Sequence, residues 1–273
     1  MTKGAARTKF RHAEEGARRA PVSKPAAPVQ LTPQEIAFVR SLVIHEDPAI
    51  LVLNKPPGLS SQGGRAQVNT LDELLWAFAR PGGARPRLIH RLDRDTSGVI
   101  LTARTKPAAA FLGKAMMARR FVKTYVALVG GALPEQGVVD VPLRREEIGR
   151  EAYMRVCAPE HPDAEAALTR FRVLAQGDGA SLVELKPQTG RMHQLRVHMA
   201  HLGSPILGDA RYGGGLTLGG RAVGRLMLHA AALQFPHPEG GEMRMEAPWP
   251  ADFQALASDL PLRSGGRGPG EAW

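Results

Sequence analysis

Three features of the sequence predict a fold of the α+β class, with helices and strands interspersed in a mixed α/β arrangement. Short apolar runs suited to buried strands alternate with segments whose apolar residues recur at helical spacing. Several connections between neighbouring strands are short enough for hairpins. Hydrophobic residues make up 43% of the 273 residues, which is enough for a sizeable core. We therefore expect one domain over residues 31–262.

The two ends of the chain differ in composition from this expected domain. Residues 1–30 are rich in Ala, Pro, Lys and Arg and contain almost no large apolar residues, which predicts a disordered basic tail. Residues 263–273 are rich in glycine and predict a disordered C-terminal tail. Folded structure should therefore begin near residue 31 and end near residue 262.

Local signals define the first elements of the domain. A helix should begin at Thr32–Glu35, a capping box with proline at the first helical position, and should end near Leu42. Strands are expected at 43–44 and 50–53. The segment Glu46–Pro48 between them predicts the turn.

The next helix is expected after a second capping box, Thr70–Glu73. Its apolar residues recur at the spacing of one helix face, and they are Leu71, Leu74, Leu75 and Phe78. Pro81–Gly83 should end this helix. A buried strand at 99–103 then precedes a further helix at 107–120, whose last residues are arginines that suit the negative end of the helix dipole.

The second half of the chain predicts a similar mixture. Strands are expected at 124–129 and 181–186. A helix closed by Gly203 should follow, because one helical stripe is formed by Met192, Leu195, Met199 and Leu202. The glycine-rich segment Gly213–Gly220 lacks both the lysine of a phosphate-binding loop and a dinucleotide fingerprint, so we expect a flexible loop there.

The C-terminal part of the domain predicts a hairpin and a last helix. Residues 226–235 and 243–245 should form the two strands, around a turn at Glu239–Gly241. The apolar residues of Phe253–Leu260 recur at helical spacing and predict the final helix.

Composition excludes several classes of protein. No run of about eighteen apolar residues is present, so we expect no membrane span. The basic N-terminus lacks the apolar core of a secretory signal. Cys157 is the one cysteine, which excludes a disulfide within the chain and a zinc site built from cysteines. We expect a cytoplasmic protein.

The charge balance predicts a polyanionic partner. The formal net charge is +10 and the isoelectric point is about 10.3, an excess that attracts nucleic acids. Aromatic residues make up only 5% of the chain, too few for an extended base-stacking platform. Contact with RNA should therefore rest on phosphate electrostatics and a shaped pocket. The alternative is a basic surface that is merely solvated.

One segment, Arg87–Arg104, concentrates charge at the start of an apolar strand. The turn Thr96–Gly98 separates the apolar run at 99–103 from a group of charged and polar residues, His90, Arg91, Asp93, Arg94 and Asp95. A carboxylate between arginines at the mouth of a core strand is unusual, because burying charges is unfavourable unless they are paired. This pattern indicates either a functional site or a surface loop of ion pairs.

The segment His90–Gly98 resembles the signature of the RluA-type pseudouridine synthases. Further segments resemble the family's motifs in the family's order, and they are Asn54–Gly58, Lys123–Tyr125, Thr189–His198, Gly203–Pro205, Gly208–Gly213, Leu228–Ala230 and Phe235–Pro238. Together the matching segments extend over roughly residues 43–250. Agreement in several ordered segments identifies the chain as similar to this family.

The resemblance implies a pseudouridine synthase fold, which is a long, mostly antiparallel mixed sheet in two lobes, flanked by helices, with an active cleft across its middle. It implies that the chain isomerises uridine to pseudouridine in a structured RNA, either ribosomal RNA, transfer RNA or both. No redox change occurs in this reaction, so no cofactor and no metal are expected. Larger family members carry an S4-like RNA-binding domain, whereas this chain should act as a stand-alone catalytic domain and as a monomer.

The resemblance also assigns catalytic roles to three residues. Asp93 corresponds to the family's catalytic aspartate, whose carboxylate can add covalently to the sugar or base, or abstract a sugar proton. Arg191 corresponds to the arginine that pairs with this aspartate and keeps it ionised, although it could contact a phosphate instead. Tyr125 corresponds to the tyrosine that lies against the uracil, where its ring could stack and its hydroxyl could help to remove the C5 proton.

Six further residues are expected to contact RNA, and they are His90, Arg91, Arg94, Lys123, His193 and Arg196. Arg91 lies two residues from Asp93, so both side chains share a face if the segment is extended. The resemblance implies that Arg91 helps to hold a flipped-out nucleotide, because chemistry at the glycosidic bond requires removal from the stack. No metal site is expected, because helical spacing would spread the nearby histidines, His193, His198 and His201, around the helix.

Two other functions are alternatives at this point. One is a catalytically inactive RNA-binding or ribosome-assembly protein on the same fold. The presence of Asp93, Tyr125 and Arg191 disfavours it, because an inactive copy could lose them freely. The other is a hydrolase that acts on a phosphorylated substrate, which neither a phosphate-binding loop nor a carboxylate cluster supports.

Overall fold

The structure of the protein is a computed structural model that describes residues 29–63, 70–80, 84–149, 151–177 and 179–261. Apart from residues 29–30, the tails predicted at 1–30 and 263–273 lie outside the described residues, as does the helix end predicted at Pro81–Gly83. Within the described ranges, no helix combines the length and apolar composition that crossing a membrane requires.

The structure describes five α-helices, of which the first two begin at the predicted capping boxes. The helices are α1 (Pro33–Ser41), α2 (Leu71–Leu74), α3 (Lys106–Met117), α4 (Gln194–His201) and α5 (Ala251–Ala257). Both capping boxes form. The hydroxyls of Thr32 and Thr70 each accept the N–H of the glutamate three residues later, and the carboxylate of that glutamate accepts the N–H of the threonine. The helix predicted over 71–78 tightens after α2 into a 3₁₀ turn at Leu75–Phe78.

The strands of the described residues are β1 (Val43–Glu46), β2 (Ile50–Lys55), β3 (Arg87–Leu88), β4 (Ser97–Ala103), β5 (Val122–Gly130), β6 (Gln136–Asp140), β7 (Leu143–Ile148), β8 (Glu151–Val156), β9 (Leu168–Gly177), β10 (Ala180–Pro187), β11 (Thr217–Leu218), β12 (Arg221–Ala222), β13 (Leu228–Pro236) and β14 (Glu242–Glu246). One large sheet has the order β1-β2-β4-β13-β5-β10-β9-β6, with β3 on β4 and β14 on β13. Two hairpins, β7–β8 and β11–β12, form separate small sheets.

The large sheet is mixed and mostly antiparallel, which confirms the predicted fold class. Only β4 and β13 pair in parallel among the strands described, and their junction lies in the middle of the sheet. The terminal hairpin is confirmed as β13–β14, and the strands predicted at 124–129 and 181–186 are confirmed as β5 and β10.

Hydrophobic clusters cover the two halves of the sheet separately. On the β1–β2–β4 half, alternate residues point to opposite faces, so α3 packs over Val52 and Leu101 while α1 and α2 pack over Leu51 and Ile100. On the β5–β10–β9 half, the largest cluster includes residues of α4 and α5. The active-site segments described below lie where these two halves meet.

Glycine is required at the junction of the two halves. Gly98 adopts φ +115°, and a Cβ added there would lie 2.2 Å from the carbonyl oxygen of Ala230. Gly98 and Ala230 are partners in the parallel β4–β13 pairing. Any side chain at position 98 would therefore push the two central strands apart.

Three expectations about elements need correction. The segment Gly213–Gly220 contains part of a short hairpin, because β11 lies within it. The predicted stripe before Gly203 is partly wrong, since α4 begins only at Gln194 and Met192 is 36% exposed. The strands between Gln136 and Gly177 have no counterpart in the prediction.

Candidate active site

An open cleft of about 750 Å³ lies where the central strands meet. Four segments line it: Ser60–Gln62 after β2, His90–Arg94 ahead of β4, residues between Met116 and Lys123 from the end of α3 into β5, and Pro187–His193 from the end of β10. A smaller recess of about 110 Å³ shares several of these residues. The three predicted catalytic residues all line this recess, and they are Asp93, Tyr125 and Arg191.

A buried lysine holds the backbone beside Asp93. Lys55, the last residue of β2, has no solvent exposure. Its ammonium donates hydrogen bonds of 2.9, 2.7 and 2.9 Å to the carbonyl oxygens of Pro56, Leu59 and Arg94, respectively. Burial lowers the pKa of Lys55 to about 7, and the nearby carboxylates of Asp95 and Asp93 oppose that shift.

A second buried side chain holds the backbone on the other side of Asp93. The Ser61 hydroxyl donates to the carbonyl oxygen of Leu92 at 2.7 Å, and it accepts the N–H of the same residue at 3.1 Å. The Asp93 loop is therefore fixed through its backbone at both neighbouring residues. Its side chain takes no part in these bonds.

The Asp93 carboxylate is 33% exposed and faces two nitrogen atoms. His193 Nε2 lies 3.9 Å from Oδ2, and Arg196 Nη1 lies 3.8 Å from the same oxygen. Both distances are longer than hydrogen bonds, so the attraction is electrostatic and the lone pairs of the carboxylate remain free. Such a carboxylate lies beside a cation and is able to approach a substrate.

The expected pairing of Arg191 with Asp93 is wrong. Among the described residues, the Arg191 guanidinium bonds Glu165 Oε2 at 2.8 Å and the carbonyl oxygen of Ala166 at 3.1 Å. The chain turns at His193, which takes a left-handed φ of 52° immediately before α4. The first turn of α4 therefore brings Arg196, which lies five residues after Arg191 in the sequence, to the Asp93 carboxylate.

Arg196 is held by a buried carboxylate. Asp209, which is 1% exposed, accepts bonds of 2.7 Å from both Nε and Nη2 of Arg196. This two-pronged geometry fixes the plane of the guanidinium. The remaining nitrogen, Nη1, is the one that faces Asp93.

Tyr125 lies in the recess on the central strand β5. Its cross-strand partners are Leu185 on one side and Ala230 on the other. Burial, aided by the charge of Asp93, raises the pKa of the Tyr125 hydroxyl well above its ordinary value. The hydroxyl is therefore neutral at physiological pH, which suits it to donating a hydrogen bond rather than to acting as a phenolate base.

The residues predicted to contact RNA divide into exposed and buried groups. Arg91 and Arg94 are exposed and line the cleft on either side of Asp93. Burial lowers the pKa of Lys123, which also lines the cleft. His90 accepts the N–H of Leu101 at 3.1 Å, and burial lowers its pKa to about 3, so its ring is neutral and tied to β4.

Sequence reasoning gave no role to several residues that shape the site. Lys55, Asp209 and Tyr212 lie in segments that resemble family motifs but have no predicted role, and Ser61 lies outside those segments. The signal for Lys55 was its position at the end of an apolar strand, where a charge must be paired if it is buried. His198, one of the histidines weighed as a metal ligand, is buried and hydrogen-bonded to the Thr169 hydroxyl and the carbonyl oxygen of Val141.

Known proteins resemble this chain over most of its length. Residues 49–201 match the family described as RNA pseudouridylate synthase. The chain is 36% identical over 248 residues to the ribosomal large subunit pseudouridine synthase D of Haemophilus ducreyi, with 85% of this chain and 73% of that protein covered. It is 41% identical over 223 residues to the ribosomal large subunit pseudouridine synthase C of Escherichia coli, with 79% and 68% covered.

Two solved structures share the fold. Human RNA pseudouridylate synthase domain containing 4 aligns with a TM-score of 0.70 and 28% identity, covering 85% of this chain and 99% of that one. Human RNA pseudouridylate synthase domain containing 1 aligns with a TM-score of 0.65 and 31% identity, covering 81% and 88%. The large mixed sheet is therefore an arrangement that occurs in both of these structures.

Proposed function

The chain belongs to the RNA pseudouridylate synthase family, and we propose that it isomerises uridine to pseudouridine in large-subunit ribosomal RNA, with Asp93 as its catalytic residue. The observation that carries the assignment of Asp93 is its position. Its carboxylate lines the recess that also contains Tyr125, with the Arg196 guanidinium 3.8 Å away.

The choice of RNA rests on the relatives and on charge. The relatives from Haemophilus ducreyi and Escherichia coli are both named as large-subunit ribosomal enzymes. The net charge of +10 favours a polyanionic partner. The exposed arginines at the cleft, Arg91 and Arg94, are suited to contacts with phosphates on either side of the target nucleotide.

The reaction requires one carboxylate with free lone pairs. The N1–C1′ bond of uridine breaks, the uracil turns, and a C5–C1′ bond forms. The C5 proton is lost and N1 gains a proton, so nothing is consumed. Asp93 acts either by adding to the sugar or base or by removing a sugar proton, and both routes need the ionised, accessible oxygen that Arg196 and His193 face.

Tyr125 and Arg91 serve the same step in different ways. Tyr125 offers its ring to the uracil and a neutral hydroxyl that can donate a hydrogen bond to a base oxygen. Arg91 lies at the opening, where a guanidinium can take the place of the everted nucleotide in the RNA stack. The recess then separates the reacting base from bulk water.

An Asp93→Asn variant tests the assignment of the catalytic residue. We expect its rate of pseudouridine formation to fall by at least about a hundredfold, because an amide can neither add to carbon nor remove a proton. The substrate is ribosomal RNA from a strain that lacks this gene, and the product is located by base-resolution pseudouridine mapping. RNA affinity should change by no more than about twofold, since the substitution leaves the basic surface intact.

Asp95→Asn is the matched control, because it makes the same chemical change two residues away on an exposed side chain. It should retain the wild-type rate. Full activity in Asp93→Asn would refute the catalytic assignment. A wild-type protein that binds the RNA but modifies no uridine would instead favour the inactive RNA-binding alternative.

A further inference from the structure

The segment Gly208–Gly213 packs against the site through Asp209, and Tyr212 in the same segment has no role in the proposed function. Asp209 in this segment bonds Arg196 through two prongs, and its Oδ1 also accepts the N–H groups of Arg211 and Tyr212. The segment is tightly packed, because a Cβ at Gly208 would lie 1.8 Å from the carbonyl oxygen of Arg225. Its conformation therefore fixes where the Tyr212 side chain lies.

Tyr212 contacts both groups that face the Asp93 carboxylate. Its hydroxyl lies 2.8 Å from His193 Nδ1. Its ring lies under the Arg196 guanidinium, whose carbon is 5.0 Å from the ring centroid. The His193 ring meets the tyrosine ring edge to face at 5.6 Å. The Tyr212 side chain therefore contacts both His193 and Arg196.

Hydrogen bonding favours one tautomer of His193. The N–H of Met154 in β8 donates to the Tyr212 hydroxyl at 3.1 Å, so the hydroxyl can direct its own proton to His193 Nδ1. Nδ1 is then the acceptor, and the ring proton lies on Nε2, which is the nitrogen 3.9 Å from Asp93 Oδ2. Burial lowers the pKa of His193, which favours this neutral ring.

We propose that Tyr212 is a positioning residue for the reaction: its hydroxyl orients His193 so that the Nε2–H faces Asp93, beside Arg196. The inference rests on the proposed function of Asp93. The Tyr212 hydroxyl is the hydrogen-bond partner of His193 Nδ1, so it fixes which edge of the ring faces Asp93. Without the hydroxyl, the ring is free to rotate and the donor no longer faces the carboxylate.

The test compares Tyr212→Phe with the wild-type protein in single-turnover assays on ribosomal RNA. The variant keeps the ring that packs against Arg196 and removes only the hydroxyl. We expect the single-turnover rate to fall about tenfold, the effect of one lost hydrogen bond in the site, with the Kd for RNA within about twofold of wild type. Tyr153→Phe is the control, because its hydroxyl bonds Glu151 on the neighbouring hairpin.

A second variant measures the coupling. His193→Asn suits the left-handed backbone, but its shorter side chain cannot contact Asp93 and Tyr212 together. We expect it to lower the rate at least as much as Tyr212→Phe, and the double variant should be no slower than His193→Asn alone. A double variant slowed by the product of the two single effects would show independent roles and overturn the proposal.

The remaining outcomes also test the proposal. An unchanged rate in folded Tyr212→Phe, or a loss confined to RNA affinity, overturns the positioning role. If thermal melting shows that Tyr212→Phe is unfolded, His193→Asn alone decides, and a wild-type rate in that variant refutes the idea. A wild-type protein without activity refutes the proposed function itself, and this failure is distinct from the others.

Discussion

Removing the ammonium of Lys55 should destabilise the whole catalytic loop. This side chain is fully buried, and each of its three protons meets one backbone carbonyl oxygen at 2.7 to 2.9 Å. Two of the carbonyls belong to the turn after β2, and the third belongs to Arg94, next to Asp93. The lysine therefore joins two loops, which hydrogen bonds from Ser61 to Leu92 and from Arg94 to Gly58 also connect.

The substitution Lys55→Met keeps the length and removes the donors. Three carbonyl oxygens then lose their partner in a place that water does not reach, at about 1 kcal/mol or more for each. Relief from burying a charge offsets part of this loss, since burial already lowers the pKa of Lys55 to about 7. We expect the free energy of unfolding to fall by about 3 kcal/mol, a large share of the stability of an ordinary domain.

Urea unfolding followed by circular dichroism measures this change at pH 6 and 25 °C, because a group with a pKa of about 7 is mostly protonated there and offers all three donors. Lys114→Met is the matched control, because it makes the same replacement on the exposed face of α3 and should alter stability by less than about 0.5 kcal/mol. The single-turnover rate of Lys55→Met should also fall, since the backbone beside Asp93 loses its anchor. A variant as stable as the control would refute the argument that these three bonds hold the loop.

Two other perturbations test the fold. Gly98→Ala should lower the free energy of unfolding by about 3 kcal/mol or more in urea titrations, because its Cβ meets the Ala230 carbonyl, whereas Gly113→Ala on α3 meets nothing within 4 Å and should be neutral or stabilising. Burial lowers the pKa of His229 to about 4, so the unfolded state takes up the proton first as pH falls. Stability should therefore decline between about pH 6.5 and pH 4, by up to about 3 kcal/mol for this residue, and His229→Gln should flatten that decline in unfolding curves measured across the interval.

The elements that sequence predicts well are those specified by neighbouring residues. The capping boxes at Thr32 and Thr70 depend on a contact three residues away, so their geometry is local and the prediction is accurate. The strands β7 and β8 were missed because they form a separate, charged hairpin, in which arginines and glutamates pair across an exposed surface. The signal for β9 was present, since buried Phe171 and Val173 alternate with exposed arginines.

The sequence predicts those site residues whose motifs adjoin the central strands. Asp93 and Tyr125 both line the recess and are separated by 32 positions. Asp93 lies just ahead of the central strand β4 and Tyr125 lies within β5, so the motif order indicates both. The sequence predicts Arg191 as the partner of the Asp93 carboxylate, whereas the structure has Arg196 beside it. The difference depends on the left-handed turn at His193. A histidine in that conformation is uncommon, and no local pattern announces it.

The way Asp93 is held suits the catalytic role proposed for it, because the residue is fixed while its carboxylate stays accessible. The anchors from Lys55 and Ser61 act on backbone atoms of the flanking residues, and within the described part of the chain both carboxylate oxygens of Asp93 are without a hydrogen bond. The groups that face Oδ2, His193 and Arg196, are themselves fixed by other side chains and stop about 1 Å short of hydrogen-bonding distance. A carboxylate tied by direct bonds would have to break them before attacking carbon or removing a proton. Here the electrostatic field is in place in advance, and the oxygen keeps the lone pair that the reaction needs.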